Sequence, residues 1–327
     1  MELLTFPFMQ RALLAALLTG LMAPAIGTYI VQRRLALLGD GLGHVAIAGV
    51  GLALLTGLAP LPVAVVVAVL GAVFIELLRQ RGRATGDVAL AILFYGGLAA
   101  GVLMAGAGGK GAGNLSAFLF GSLTTVTPGD LWLVSGLAVV VLTAALGLAP
   151  LLFAVCADED FAKVQGLPVR AYSLLIVVLA AVTVTTAMRT VGLLLVSALM
   201  VVPVATAQNV FRGFFTGLAG AMGIGVAVSL GGVVTSFYAD LPPGALIVLA
   251  AIALFALSWP LSQLRHRHHA IALDDTAPSR EHEMSGAHTD HVHGPGCGHR
   301  LVEHGDHVDY VHDGHRHAPH ADHYDEH

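Results

Sequence analysis

Charge is scarce in this sequence. Asp, Glu, Lys and Arg make up 11% of its 327 residues, where soluble domains carry about 25%, so an ordinary water-facing globular surface is excluded. Aromatic residues are also sparse, at 6% against 56% hydrophobic residues overall, so the apolar content is aliphatic and small. Cysteine is nearly missing: Cys156 and Cys297 lie far apart, which excludes a disulfide framework and a cysteine-based zinc site. Two catalytic signatures are missing as well. A membrane metalloprotease needs HExxH, and the nearest string, "HEMSGAH" at 282–288, has the wrong spacing. A P-loop needs GxxxxGK[ST], but around Lys110 the first glycine is replaced by Met104 and Gly111 follows the lysine. The chain is therefore expected to hydrolyse no nucleotide itself and not to be an enzyme. Any ATP-driven work would fall to a separate ATPase on the cytoplasmic side.

What is present is a series of long apolar runs. A membrane span needs roughly 20 apolar residues, and segments near that length cover 12–31, 35–57, 61–78, 88–105, 131–155, 171–188, 190–207, 214–237 and 244–262. The stretch 114–127, "NLSAFLFGSLTTVT", is too short and is expected to be re-entrant or interfacial. The first run is read as a retained span, because "MELLTFPFMQR" lacks a basic start and no small-residue cleavage site follows. Nine spans with the N-terminus outside place 10 Lys/Arg of short loops inside and 3 outside, as the positive-inside bias requires. The fold class is thus an all-α polytopic membrane protein with about 8–9 transmembrane helices and a disordered C-terminal tail. Residues 1–264 form the membrane domain and 265–327 the tail, which this orientation places in the cytoplasm. The division is also electrostatic. Residues 1–269 carry 13 Lys/Arg against 9 Asp/Glu, and 270–327 carry 3 against 12.

Within the membrane domain one stretch breaks the apolar rule. "LLGDGLGHVAIAGV", residues 37–50, puts Asp40 and His44 four apart, and the other 16 of the 17 histidines lie at or beyond His266. Residues i and i+4 share a helix face, and ionisable groups at this depth are costly and usually line a bundle interior or a water-filled path. Carboxylate oxygen with imidazole nitrogen suits zinc and other first-row divalent ions. The alternative is a structural hydrogen bond in which Asp40 orients His44. Two ligands do not close a site, so the remainder must come from the bundle, a symmetry mate or water. Glu76 and Asp87 are secondary candidates for acids on a path, and snorkelling at the interface explains them at least as well.

Two further segments stand out. "DEDFAKVQGLPVRAYS", residues 158–173, is the longest inside connection. It predicts a short helix ending near Gly166, with Pro168 limiting its continuation. Phe161, Val164 and Leu167 then form an apolar edge, either to dock an ATPase or to pack on the bundle itself. In the tail, histidine and acidic residues alternate with Gly and Pro, which cannot bury enough surface to fold alone. Its imidazoles, among them His288, His291, His293, His299, His304, His307, His312, His315, His317, His320 and His323, are expected to bind divalent metal. A solvated acidic tail whose histidines only titrate near neutral pH is the plain alternative.

Taken in order, several blocks resemble the permease subunits of bacterial ABC importers for zinc, manganese and related divalent metals. They are "RRLALLGDGLGHVAIAGVGLALL", "GDVALAILF", "NLSAFLFGSLTTVTPGDL", "FAKVQGLPVRAYSLLIVVLAAVTVTTAMRTVGLLLVSALMVVPVATA" and "YADLPPGALIVLAA". The resemblance covers roughly residues 5–262. It implies a multi-pass protein of the bacterial plasma membrane, working as a homodimer with two copies of an ATPase subunit and an extracytoplasmic metal-binding protein. No permanent cofactor and no nucleic acid partner are expected. It also implies that Asp40 and His44 touch the ion on its path, and that the loop from Phe161 to Pro168 meets the ATPase. Zinc is the first choice of substrate because imidazole is so abundant, with manganese or iron next. A secondary metal/proton transporter with a metal-sensing tail is the alternative. One departure is Gly43, where the family more often has a serine before the histidine.

Overall fold

The computed structural model describes residues 6–80, 86–107, 118–119, 121, 127–188, 191–274, 283–285, 297–304, 307–312, 315–320 and 323–326. They fall into two compact units, Met1–Ser262 and Gln263–His327.

Among the described residues the regular elements of the first unit are all helices. Its elements are α1 (Pro7–Gln32), α2 (Leu38–Thr56), α3 (Pro60–Gln80), α4 (Gly86–Ala107), α5 (Pro128–Gly147), α6 (Ala149–Ala157), α7 (Glu159–Val164), α8 (Val169–Ala187), α9 (Leu193–Val210), α10 (Phe214–Ala239) and the larger part of α11 (Pro243–Asp274). Eight of these helices are long and apolar enough to cross a membrane. The expected ninth segment, 190–207, corresponds to α9, whose apolar stretch Leu195–Val210 is shorter. Of the expected interfacial stretch 114–127, residues 118–119 are helical and most of the rest lies outside the described residues.

Local chemistry sets the breaks. The run 131–155 is divided at Leu148, because Pro150 in the first turn of α6 has no N–H to offer the carbonyl four residues back. Gly192, at φ +90°, supplies the left-handed backbone that separates α8 from α9. Thr127 and Asp130 form a reciprocal cap that starts α5.

Helix α2 lies deepest near its start: every residue from Gly41 to Gly51 is buried, in contact with α3, α4, α8 and α9. Helix α1 packs along α10, with α5, α8 and α9 around it. Tyr29, fully buried on α1, donates its hydroxyl to the Ala145 carbonyl of α5 at 2.6 Å. The buried threonines of α8 behave differently. Thr183, Thr185 and Thr186 donate to Leu179, Ala181 and Val182 carbonyls one turn back in their own helix, at 2.7–2.8 Å.

The second unit is the segment that composition left without a core. Its described residues include β1 (Glu283–Ser285), β2 (Arg300–His304), β3 (His307–His312), β4 (His315–His320) and β5 (His323–Glu326). These make one antiparallel sheet in the order β1-β5-β4-β3-β2. Its buried apolar residues among those described are Tyr310 and Ala318.

Candidate metal path and cytoplasmic coupling site

Asp40 and His44 stand in the first two turns of α2, as their spacing predicts. The bond between them is not the one expected. The His44 ring Nδ1 lies 2.7 Å from the backbone carbonyl oxygen of Asp40, not from its carboxylate. A carbonyl can only accept, so Nδ1 is the donor of this bond, and in a neutral ring the lone pair then sits on Nε2. Orienting a ligating imidazole through a carbonyl on its other nitrogen is a common device at metal sites.

The Asp40 side chain, half-buried, opens into a cleft of about 270 Å³ between α2 and α4, with Leu37 and Gly41 on one side and Leu90, Phe94 and Tyr95 on the other. His44 is 6% exposed. Phe94 belongs to both places, lining the cleft and lying on the imidazole with ring centroids 3.9 Å apart. Missing side chains allow this closeness. A Cβ at Gly97 would fall 2.7 Å from the His44 carbonyl group, and one at Gly43 would fall on Leu193 of α9. Gly43, read from sequence as a lost hydroxyl, is therefore the point where α9 presses on α2.

Among the described residues no group of three or more His, Cys, Asp and Glu could hold a metal ion. Glu76 does not join the pair. It is 2% exposed on α3 and its carboxylate accepts from Arg79 Nε and Nη2 at 2.9 Å each and from Gln80 at 3.0 Å. Asp87 falls on the first turn of α4, and its side chain lies outside the described residues.

The connection after α6 folds as its residues dictate. Asp158 caps α7 by accepting from the amides of Asp160 and Phe161, both at 2.9 Å. Gly166, at φ +80°, ends it in a left-handed turn whose amide returns to Lys163. Pro168 occupies the cap before α8. Ala162 is the inward residue, packed with Val155 and Val169, and Leu167 folds back on that cluster. Phe161 and Val164 are 59% and 85% exposed, so the apolar edge of three reduces to two outward residues. On the same helix Lys163 donates to Asp160 at 2.8 Å, holding that carboxyl below the usual carboxylate range and the ammonium above its own.

An ionic cluster that sequence reasoning missed ties this helix to the bundle. Glu159, at the start of α7, pairs with Arg33 at the end of α1, and Arg79 Nη2 approaches the same oxygen at 3.9 Å. The Arg33 side chain is 4% exposed. Gln80 donates to the Arg170 carbonyl at 3.2 Å, closing the set. Arg33 and Glu159 are 126 residues apart in sequence, and no local pattern announces their meeting. Beside them the Cys156 thiol is pushed up to about 12, chiefly by burial, with Arg33 opposing and Glu159 adding to the rise.

In the tail, His288, His291 and His293 lie outside the described residues. His299 is half-buried and His317 is 2% exposed. His304, His307, His312, His315, His320 and His323 sit on strands, and their side chains lie outside the described set.

A bundle with eight helices long and apolar enough to cross a bilayer defines a polytopic membrane protein. Residues 5–261 match the ABC 3 transport family, and the chain belongs to that family. The "Manganese transport system membrane protein MntC" of Halalkalibacterium halodurans is 35% identical over 79% of this chain and 88% of its own. The "Probable iron transport system membrane protein" of Haemophilus influenzae is 30% identical over 82% of this chain and 98% of its own. Among solved structures, a chain of PsaBC from Streptococcus pneumoniae in complex with Fab superposes with a TM-score of 0.72 at 30% identity, covering 79% of this chain and 92% of that one. The protein is thus a multi-pass permease of the bacterial inner membrane.

Proposed function

We propose that this permease is the membrane subunit of an ATP-driven importer for a divalent first-row metal ion, Mn²⁺ or Zn²⁺, and that Asp40 and His44 hold the ion on its path. The observation that carries this reading is the His44 imidazole itself, fixed by the Asp40 carbonyl so that Nε2 is kept as an acceptor one turn from a carboxylate on an open cleft. One chain supplies too few ligands, so a second copy related by a twofold axis doubles the set. Relatives named for manganese and iron weigh toward the harder ions, whereas imidazole weighs toward zinc. Phe161 and Val164 of α7 suit an apolar contact with a cytoplasmic ATPase subunit, two copies of which would serve the dimer. An extracytoplasmic metal-binding protein would deliver the ion. The mechanism is alternating access: the ion passes from the cleft to the cytoplasmic side as ATP hydrolysis in the partner rearranges the helices.

The test is ATP-dependent uptake of Mn²⁺, Zn²⁺ and Fe²⁺ into liposomes holding the permease with its ATPase and binding protein. Asp40→Ala and His44→Ala should each lower uptake of the preferred ion about tenfold or more while the complex still assembles. Full flux in both variants would make the pair structural. Flux that needs a proton gradient and no ATP would replace the importer by a secondary carrier.

A further inference from the structure

We propose that the histidine-rich unit holds a preorganised divalent-metal site built on a row of four histidines, His304, His307, His320 and His323, across one end of its sheet. The sequence repeats every eight residues, with "HGDH" at 304–307, "HDGH" at 312–315 and "HADH" at 320–323. In a chain without structure this spacing would give three unrelated pairs. The strand register sorts them. His304 faces His307 across β2 and β3, and His320 faces His323 across β4 and β5. The β3–β4 ladder pairs Tyr310 with His317 and His312 with His315. Continued three residues beyond Tyr310 in the same register, it sets His307 level with His320. The order β5-β4-β3-β2 then lines up one histidine per strand.

Cross-strand partners share a face, and alternate residues along a strand share it too. All four positions therefore fall on one face, while His312 and His315 fall on the other face at the opposite end. Neighbouring strands lie about 4.8 Å apart, a spacing from which two or three imidazoles reach one ion at about 2.0–2.1 Å. Asp325, opposite Ala318, occupies the next position on the same face beyond His323, which sets a carboxylate beside the row. A nitrogen-rich row of this kind suits Zn²⁺, with Co²⁺ as a spectroscopic substitute, and discriminates against Mn²⁺, which favours oxygen. The site shares no residue with Asp40 and His44, and its existence does not depend on the transport reading.

The experiment is titration of the full-length permease in detergent micelles with Zn²⁺ against a competing chromophoric chelator. Three variants are compared with wild type, all retaining His44. His304→Gln, His307→Gln, His320→Gln and His323→Gln together should weaken the tightest tail site about tenfold or more. A count-matched control, His288→Gln, His291→Gln, His293→Gln and His299→Gln, should leave it within about twofold. The third, His307→Val with Val308→His, keeps composition unchanged but moves one imidazole to the other face, and should weaken binding about tenfold. Equal losses in the two quadruple variants, or an unchanged affinity in the exchange, would overturn the row and leave a loose buffer of independent histidines.

Discussion

Replacing Gly97 by alanine tests whether the contact between α2 and α4 sets the geometry at His44. The new Cβ would lie 2.7 Å from the carbonyl carbon and oxygen of His44 and 2.8 Å from the Val45 nitrogen, where ordinary contact begins at 3.4 Å. The helices must therefore part by about 0.7 Å, because backbone atoms have no rotamer into which they can yield. Overpacking of this kind costs about 1–3 kcal/mol. The displaced turn carries Phe94, whose ring lies on the imidazole, so the shift opens that stack and moves the lining of the cleft. Gly96→Ala is the matched control, since a Cβ there meets nothing within 4 Å and the helix-propensity gain of roughly 1 kcal/mol is common to both. In the reconstituted uptake assay Gly97→Ala should fall about tenfold below Gly96→Ala, with a lower unfolding temperature in detergent. Identical flux and identical melting in the two variants would refute the argument, because the steric conflict would then have been absorbed without reaching the site.

Two further outcomes concern α7 and the ionic cluster beside it. With its pKa pushed up to about 12, the Cys156 thiol is thiolate at pH 8 only on the order of one part in ten thousand. Glu159→Gln removes a charge that raises that pKa and leaves Arg33 to lower it, so iodoacetamide should label Cys156 faster in a Cys297→Ser background; an unchanged rate would show that the ion pair does not reach the thiol. Phe161→Ser with Val164→Ser should abolish copurification of the ATPase while leaving the permease folded, and retained copurification would move the docking surface elsewhere. The Asp160–Lys163 pair contributes to α7 above the lowered carboxyl pKa and below the raised ammonium pKa. It is lost as pH falls through the first or rises through the second, so docking should be flat between about pH 6 and 8.

Hydropathy made the bundle legible because lipid imposes length and composition on each span. The face shared by Asp40 and His44 was equally legible, since helical spacing is fixed by geometry. Their bond was not, because sequence cannot say whether an imidazole turns to a side chain or to the carbonyl one turn back. The break at Leu148 was available in Pro150 but was hidden by an unbroken run of apolar residues. Arg33 and Glu159 show the harder limit: each reads alone as an interfacial charge, and their meeting is a product of the packing of α1 against the later helices. The strand register in the histidine-rich unit lies beyond composition for the same reason, since pairing is a relation between segments.

The threonines of α8 have a consequence for how the bundle can move. Thr183, Thr185 and Thr186 are buried, yet each spends its hydroxyl on its own helix. To its neighbours the C-terminal end of α8 is a greased rod whose hydroxyls travel with it. A slide or a few degrees of rotation there breaks none of these three bonds and strands none of these hydroxyls in hydrocarbon. Near the start of α7, Arg33, Arg79, Glu159 and Gln80 hold the helices by charge and amide contacts. The two ends of α8 are thus tied to the bundle in different ways: Arg170 near its start accepts from Gln80 of α3, whereas the three hydroxyls near its end bond only within α8.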